Sequence, residues 1–341
     1  MTAVRVLVVD DSATMRALLK HSLAAFSDIE VIGEASDPYD ARQKMKALDP
    51  DVVTLDVEMP NMSGLEFLEK IMRLRPTPVI MVSNQTAPGA AATLEALEIG
   101  AFDCIAKPSG LQGNTFGALP ALIKEAAKAK PMMVARRKPP QVQAPAGGAA
   151  PHDRHAGWPE LIGIGSSTGG VEALIAVLAD FPEDCPPTLI VQHLPAAFTG
   201  SFSQRLDRIC RARVKEAENG DIIRKGHIYL APGGMHLTIR KAGGLRCVLS
   251  DDALVQGHRP SVDVLFSSIA RNFDGRAMGV ILTGMGRDGA TGLLEMRESG
   301  ARTLAQDEAT SLVYGMPRVA FEIGAAERRV PLDRIAKAVF E

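Results

Sequence analysis

Short apolar runs alternate with amphipathic stretches along the first 125 residues, and that alternation predicts a parallel α/β sheet. VRVLVVD, DIEVIGEA, DVVTLD, PVIMVSN and AFDCIAK read as five strands. Four of them are largely unbroken apolar runs, the pattern of strands buried on both faces. Stretches such as MRALLKHSLAAF and LEFLEKIMRL, between them, place apolar residues at helical spacing. Five strand–helix units predict a doubly wound, five-stranded parallel sheet as a domain over residues 1–125.

The pattern then lapses. From Pro131 to Trp158 the chain reads PMMVARRKPPQVQAPAGGAAPHDRHAGW, rich in Pro, Ala and Gly and without an apolar period. Residues 126–157 are therefore expected to form a flexible linker. His152 and His155 within it have no Cys or carboxylate cluster nearby and read as solvated side chains, not metal ligands. A second series opens at Leu161, with LIGIG, TLIVQH, HIYLAP, LRCVLS, MGVILTG and ARTLAQD as strands. GVEALIAVLADF and GLLEMRES are helical patterns between some of them. This predicts a second doubly wound α/β domain over residues 158–341, with antiparallel content around residues 227–250.

Composition narrows the class. A chain of 341 residues suits two domains, and 46% hydrophobic with 23% charged residues is enough for cores in a globular protein. A net charge of -2 makes no electrostatic case for nucleic acid or a membrane surface as main partner. Cys104, Cys185, Cys210 and Cys247 lie far apart with no CxxC pair, which fits reduced thiols and no zinc site. The apolar run Val4–Val9 is too short for a signal core, and no stretch reaches membrane-span length. A cytoplasmic location with no membrane insertion is the expectation.

Candidate chemistry sits at the strand ends, where open parallel sheets bind ligands. The first strand ends in Asp10 and Asp11, the third in Asp56, the fourth in Ser83, and the fifth in Lys107 followed by Pro108. Three converging carboxylates repel one another unless a hard cation lies among them, and an all-oxygen set suits Mg²⁺. Asp56 is the best candidate to accept a phosphoryl group as an acyl phosphate, with Ser83 and Lys107 placed for its oxygens. A single strand-end aspartate is more often a cap or turn residue; five such positions in order are hard to explain that way.

The second domain opens with Gly165-Ser166-Ser167-Thr168-Gly169, a G-x-S-x-G turn that exposes the middle serine at a helix N-terminus. His193 ends the next strand and lies beside Ser167 if the two strands are neighbours. Asp288, in LTGMGRDGA after another buried strand, supplies an acid for the imidazole. Asp251, Asp252 and Asp263 are weaker alternatives. A competing reading exists: Gly284-x-Gly286-x-x-Gly289 matches a dinucleotide fingerprint, with Asp307 further on. Its strand comes late in the domain, and Asp288 inside the loop would repel a pyrophosphate. A nucleotide-dependent oxidoreductase is thus the weaker alternative.

With these residues in place the N-terminal part resembles the receiver domain of response regulators, which implies a flavodoxin-like fold. It departs at Cys104, where receivers usually carry an aromatic switch residue. IGIGSSTGGVEAL, VQHLPAAFTGSF, IYLAPGGMHL, RPSVDVLF, VILTGMGRDGATGL and AQDEATSLVYGMPRVA resemble the chemotaxis protein-glutamate methylesterase catalytic domain. The resemblance implies Ser167 as nucleophile, His193 as base, Asp288 as orienting acid, and the Thr168 and Met285 N–H groups as an oxyanion hole. It also implies glutamate methyl esters of methyl-accepting chemotaxis receptors as substrates, with glutamine deamidation besides. A chemotaxis histidine kinase would be the phosphodonor, and phosphorylation would activate. A transcriptional regulator would need a helix-turn-helix and a basic face, where residues 158–341 instead show a strand-rich pattern.

Overall fold

A computed structural model of the chain describes residues 3–84, 87–107, 116–135 and 157–341. It divides into two compact units, Met1–Pro140 and Gln141–Glu341. Among the described residues no helix is long and apolar enough to cross a membrane.

In the first unit β1 (Val4–Val9), β2 (Ile29–Ala35), β3 (Val52–Asp56), β4 (Val79–Ser83) and β5 (Asp103–Ala106) form one sheet in the order β2-β1-β3-β4-β5. Every pairing is parallel. The helices are α1 (Ala13–Leu23), α2 (Pro38–Leu48), α3 (Gly64–Leu74), α4 (Ala87–Ile99) and α5 (Leu119–Ala135). The side chains of Ser12, Asp37 and Ser63 accept N–H bonds from the first turns of α1, α2 and α3, which sets where those helices start. The expected boundary at residue 125 falls inside α5. Leu122, Ile123, Ala126 and Ala129 keep that helix packed past that point, and Pro131 does not end it. Residues 136–156, which carry most of the expected linker with His152 and His155, lie outside the described residues, as does Pro108.

The second unit holds β6 (Leu161–Ser166), β7 (Thr188–Gln192), β8 (Arg213–Glu216), β9 (His227–Leu230), β10 (His236–Lys241), β11 (Leu245–Ser250), β12 (Ala277–Ile281), β13 (Arg302–Gln306) and β14 (Arg328–Val330). Its helices are α6 (Gly170–Leu178), α7 (Ala196–Ile209), α8 (Val262–Asn272), α9 (Ala290–Glu298), α10 (Met316–Glu322) and α11 (Leu332–Phe340). Seven strands form a parallel sheet in the order β14-β13-β12-β6-β7-β9-β8. Among the described residues the antiparallel ladder is that of β10 with β11, joined by isolated antiparallel bridges at Ile222–Arg246 and Val255–His258; β9, at the start of the stretch expected to hold antiparallel content, runs parallel in the main sheet. The first strand, β6, lies between β7 and β12. The order reverses on either side of it, and open parallel sheets bind ligands beyond the carboxyl ends of the central strands at such a reversal.

Candidate functional sites

Ser167, His193 and Asp288 all follow those central strands. β6 and β7 pair with Ser166 opposite Gln192, and the His193 N–H donates to the Ser166 carbonyl at 3.1 Å. The two adjacent serines differ in environment. Ser166 is fully buried, its hydroxyl donating to Gln192 Oε1 at 2.6 Å, whereas Ser167 is partly exposed. The Gln192 amide donates to the Ser167 carbonyl at 2.9 Å, and the Ser167 N–H donates to the Thr283 carbonyl at 3.0 Å. The Thr283 hydroxyl in turn donates to the Thr168 carbonyl at 3.0 Å. The backbone around Ser167 is thereby fixed between β7 and the end of β12.

Gly284 brings the next loop against this turn. A Cβ there would lie 2.8 Å from Ser167 Cβ and 2.3 Å from Met316 Sδ, so only glycine lets the chain pass this close. Met285 follows it, half-buried, and Thr168 is buried. The Ser167 N–H is already engaged, so the expected oxyanion donors at Thr168 and Met285 belong to the two segments flanking Ser167.

Asp288 is buried, with its Oδ2 2.8 Å from His193 Nε2. The same oxygen accepts the Val262 N–H at 2.7 Å, while Oδ1 accepts the Ser261 hydroxyl at 2.7 Å and the Asp263 N–H at 3.1 Å. Burial alone would raise its pKa. The bonds from His193, Ser261 and Val262 outweigh burial and hold the carboxyl below the usual range. The His193 Nδ1 is buried and has no hydrogen-bond partner among the described residues. Triads more often turn Nδ1 to the acid; here Nε2 takes that place.

The weaker acid candidates lie elsewhere. Asp263 turns to the Gly292 N–H, 2.8 Å away, and to the Gln256 amide, and burial raises its pKa. Asp251 and Asp252 are exposed. Within Gly284-x-Gly286-x-x-Gly289, Asp288 is committed to the α8 N-terminus and Gly284 to the Ser167 contact. Asp307 accepts from the Thr310 N–H and hydroxyl, closing a local turn.

In the first unit, carboxylate oxygens of Asp10, Asp11 and Asp56 lie within 4.8 Å of one another. Asp10 and Asp56 are buried and Asp11 is exposed. Lys107 Nζ stands 2.7 Å from Asp56 Oδ2 and 3.1 Å from Asp10 Oδ2. Beyond this Lys107 ion pair, Asp10 Oδ2 has no hydrogen-bond donor among the described residues. Burial pushes Asp56 up to about 6, with Lys107 opposing that shift and Asp10 adding to it. A small hard cation would relieve this crowding, and the all-oxygen donor set fits Mg²⁺. Ser83 is buried at the end of β4, and its carbonyl accepts the Lys107 N–H at 2.7 Å. Cys104 is buried on β5 opposite Met81, and burial raises its thiol pKa well above the ordinary value.

Comparison with known proteins agrees with both halves. A family profile described as response regulator receiver domain matches residues 6–113, and one described as CheB methylesterase matches residues 162–339. A protein-glutamate methylesterase/protein-glutamine glutaminase of Caulobacter vibrioides is 55% identical over 346 residues, covering 100% of this chain and 98% of the relative. The chain belongs to this family. A member from Agrobacterium fabrum is 54% identical, covering 99% of this chain and 96% of its own. The solved catalytic domain of the Thermotoga maritima CheB methylesterase matches 53% of this chain and 97% of that one, with 34% identity and a TM-score of 0.52. Family membership sets aside the oxidoreductase and transcriptional-regulator alternatives.

Sequence reasoning missed Ser261, Thr283 and Gln192, whose contacts hold the candidate residues in place. Only Ser261 carried a local signal. It precedes a helical pattern and caps α8, accepting the Val264 N–H.

Proposed function

We propose that this chain is a phosphorylation-activated protein-glutamate methylesterase that also deamidates glutamine, acting in the cytoplasm on methyl-accepting chemotaxis receptors. The observation that carries the reading is the 2.8 Å contact between His193 Nε2 and the multiply bonded Asp288, beside a partly exposed Ser167. Ser167 Oγ attacks the γ-carbonyl of a glutamyl methyl ester while His193 takes its proton at Nδ1, the nitrogen left open by the Asp288 contact. Asp288, held ionised, stabilises the imidazolium. The N–H groups of Thr168 and Met285 receive the developing oxyanion. Collapse of the tetrahedral intermediate breaks the C–O bond to the methoxy group, and His193 returns the proton so that methanol leaves. Water then attacks the acyl-enzyme, giving its proton to His193, and glutamate is released as Ser167 regains a proton. A glutamine side chain enters the same path, with ammonia as leaving group.

Regulation is assigned to the first unit. Asp56 accepts a phosphoryl group from the phosphohistidine of a chemotaxis histidine kinase, with Lys107 and Ser83 contacting its oxygens. Asp10, Asp11 and Asp56 would hold Mg²⁺, which neutralises charge on the transferring phosphoryl group. Phosphorylation raises esterase turnover. Methanol release from methylated receptor membranes, with and without a small phosphodonor, tests the whole reading, and a fluorophosphonate probe tests Ser167. Absence of methanol release, or a probe that labels another residue, would sink it.

A further inference from the structure

His258 has no part in the chemistry above, yet its ring lies flat on His193, with centroids 3.8 Å apart and planes 5° from parallel. A tight turn presents it. The Val255 N–H donates to the His258 carbonyl at 3.1 Å and the His258 N–H to the Val255 carbonyl at 2.9 Å. The two residues between them, Gln256 (φ 51°) and Gly257 (φ 84°), are both left-handed, as in a two-residue type I′ hairpin turn. A left-handed glutamine is uncommon and has to be held. Its side-chain amide donates to Asp263 Oδ2.

The rest of the loop is tied as firmly. The Arg259 guanidinium donates to the carbonyls of Asp251 and Asp252, and the Arg259 carbonyl accepts the Gly234 N–H at 3.0 Å. Buried His236 donates from Nε2 to the Ala253 carbonyl at 3.0 Å and accepts the Ser261 N–H at Nδ1, 3.2 Å away. Ser261 is the residue whose hydroxyl holds Asp288. One segment thus fixes the acid and lays a second imidazole on the base.

The need for that second contact follows from hydrogen-bond accounting. Among the described residues the His193 side chain has a single hydrogen bond, from Nε2 to Asp288, and its Nδ1 has no partner. One bond at one edge leaves a ring free to swing about its Cβ–Cγ bond. We propose that His258 is a positioning residue, its stacked ring keeping Nε2 of His193 on Asp288 and Nδ1 open to the nucleophile. The inference rests on the assignment of Ser167, His193 and Asp288 as the reacting set. Burial, with His193 beside it, pushes His258 down to about 4, so the stacked partner is neutral at physiological pH. A neutral π-face accommodates the imidazolium formed during acylation, whereas a second cation would repel it.

The test is methanol release by the full-length enzyme on methylated receptor membranes, comparing wild type, His258→Ala, His258→Phe and Ser167→Ala. His258→Ala should lower kcat about ten- to hundredfold with KM changed less than about twofold, and His258→Phe should recover kcat to within about threefold. Nitrogen-15 NMR of histidine-labelled protein should show one His193 tautomer in wild type and in His258→Phe, and a mixture in His258→Ala. Wild-type kcat in His258→Ala, with Ser167→Ala inactive, would overturn the inference while leaving the catalytic assignment standing. Equal loss in a folded His258→Phe would overturn it as well, since the ring stack would then be beside the point. An active Ser167→Ala would instead remove the assignment beneath it.

Discussion

Asp288 Oδ2 accepts the Val262 N–H at 2.7 Å, so the candidate acid of the site is also the anion at the N-terminus of α8. One carboxylate both orients an imidazole and completes a helix end. Asp288→Asn turns an amide N–H toward groups that are themselves donors. It should lower turnover about 10³- to 10⁴-fold and destabilise the second unit by about 1–3 kcal/mol. Trp158 is the chain's one tryptophan and packs on Phe340 at 4.8 Å, so its fluorescence during denaturation reports on this unit. A variant with wild-type turnover would move the acid role elsewhere, Asp263 being the next to examine.

The two serines should separate cleanly. Ser167→Ala is expected to cost about 10³-fold or more in turnover. Ser166→Ala removes a hydroxyl whose bond is to Gln192 and should cost less than about tenfold. Comparable losses at both positions in the methanol-release assay would refute Ser167 as the nucleophile.

Asp56→Asn should abolish labelling by a small phosphodonor and its stimulation of the esterase, while basal methanol release persists. In the wild type, removing divalent cations with EDTA should prevent labelling, and added Mg²⁺ should restore it. The phosphoryl bond should be labile to alkali, as an acyl phosphate is. Metal-independent labelling would count against the pocket formed by Asp10, Asp11 and Asp56.

His258 also predicts a pH dependence of stability. An unfolded histidine takes up a proton near 6.5, whereas folded His258 resists until about 4. Between those values the unfolded state binds more protons, so stability falls as pH is lowered through that window. Its charged or titratable neighbours include His193 and Asp288. Trp158-monitored denaturation should show a flatter pH slope between 4 and 6.5 in His258→Phe than in wild type. Identical slopes would mean that His258 is not held neutral.

The parallel strands were legible where an apolar run lay in the middle of a sheet, as in β3, β6 and β12. β8 and β14 were not, because RVKE and RRV are short, charged segments at the two edges of the seven-stranded sheet, where one side faces no partner strand. β10, HLTIRK, is polar at four of six positions, and among the described residues it pairs with β11 alone, in a two-stranded sheet. Ser167, His193 and Asp288 could be nominated from sequence because each follows a readable strand. Thr283, Gln192 and His258 could not, since their partners are set by strand order and loop closure. The choice of imidazole nitrogen facing Asp288 is likewise a tertiary fact with no trace in residue spacing.

The placement of β6 between β7 and β12 has a consequence in time. Ser167 and His193 leave the ribosome early, but Asp288 lies 95 residues beyond His193. The Gly284 loop is pinned later still, by the Val313 carbonyl and the Met316 N–H. Pairings this distant in the chain form late in folding. A nascent chain that has only just passed β7 therefore carries Ser167 and His193 without the Asp288 and Gly284 segments that hold them. The candidate site is assembled from segments that reach from β6 to Met316, and its parts meet only once the last of these has been made.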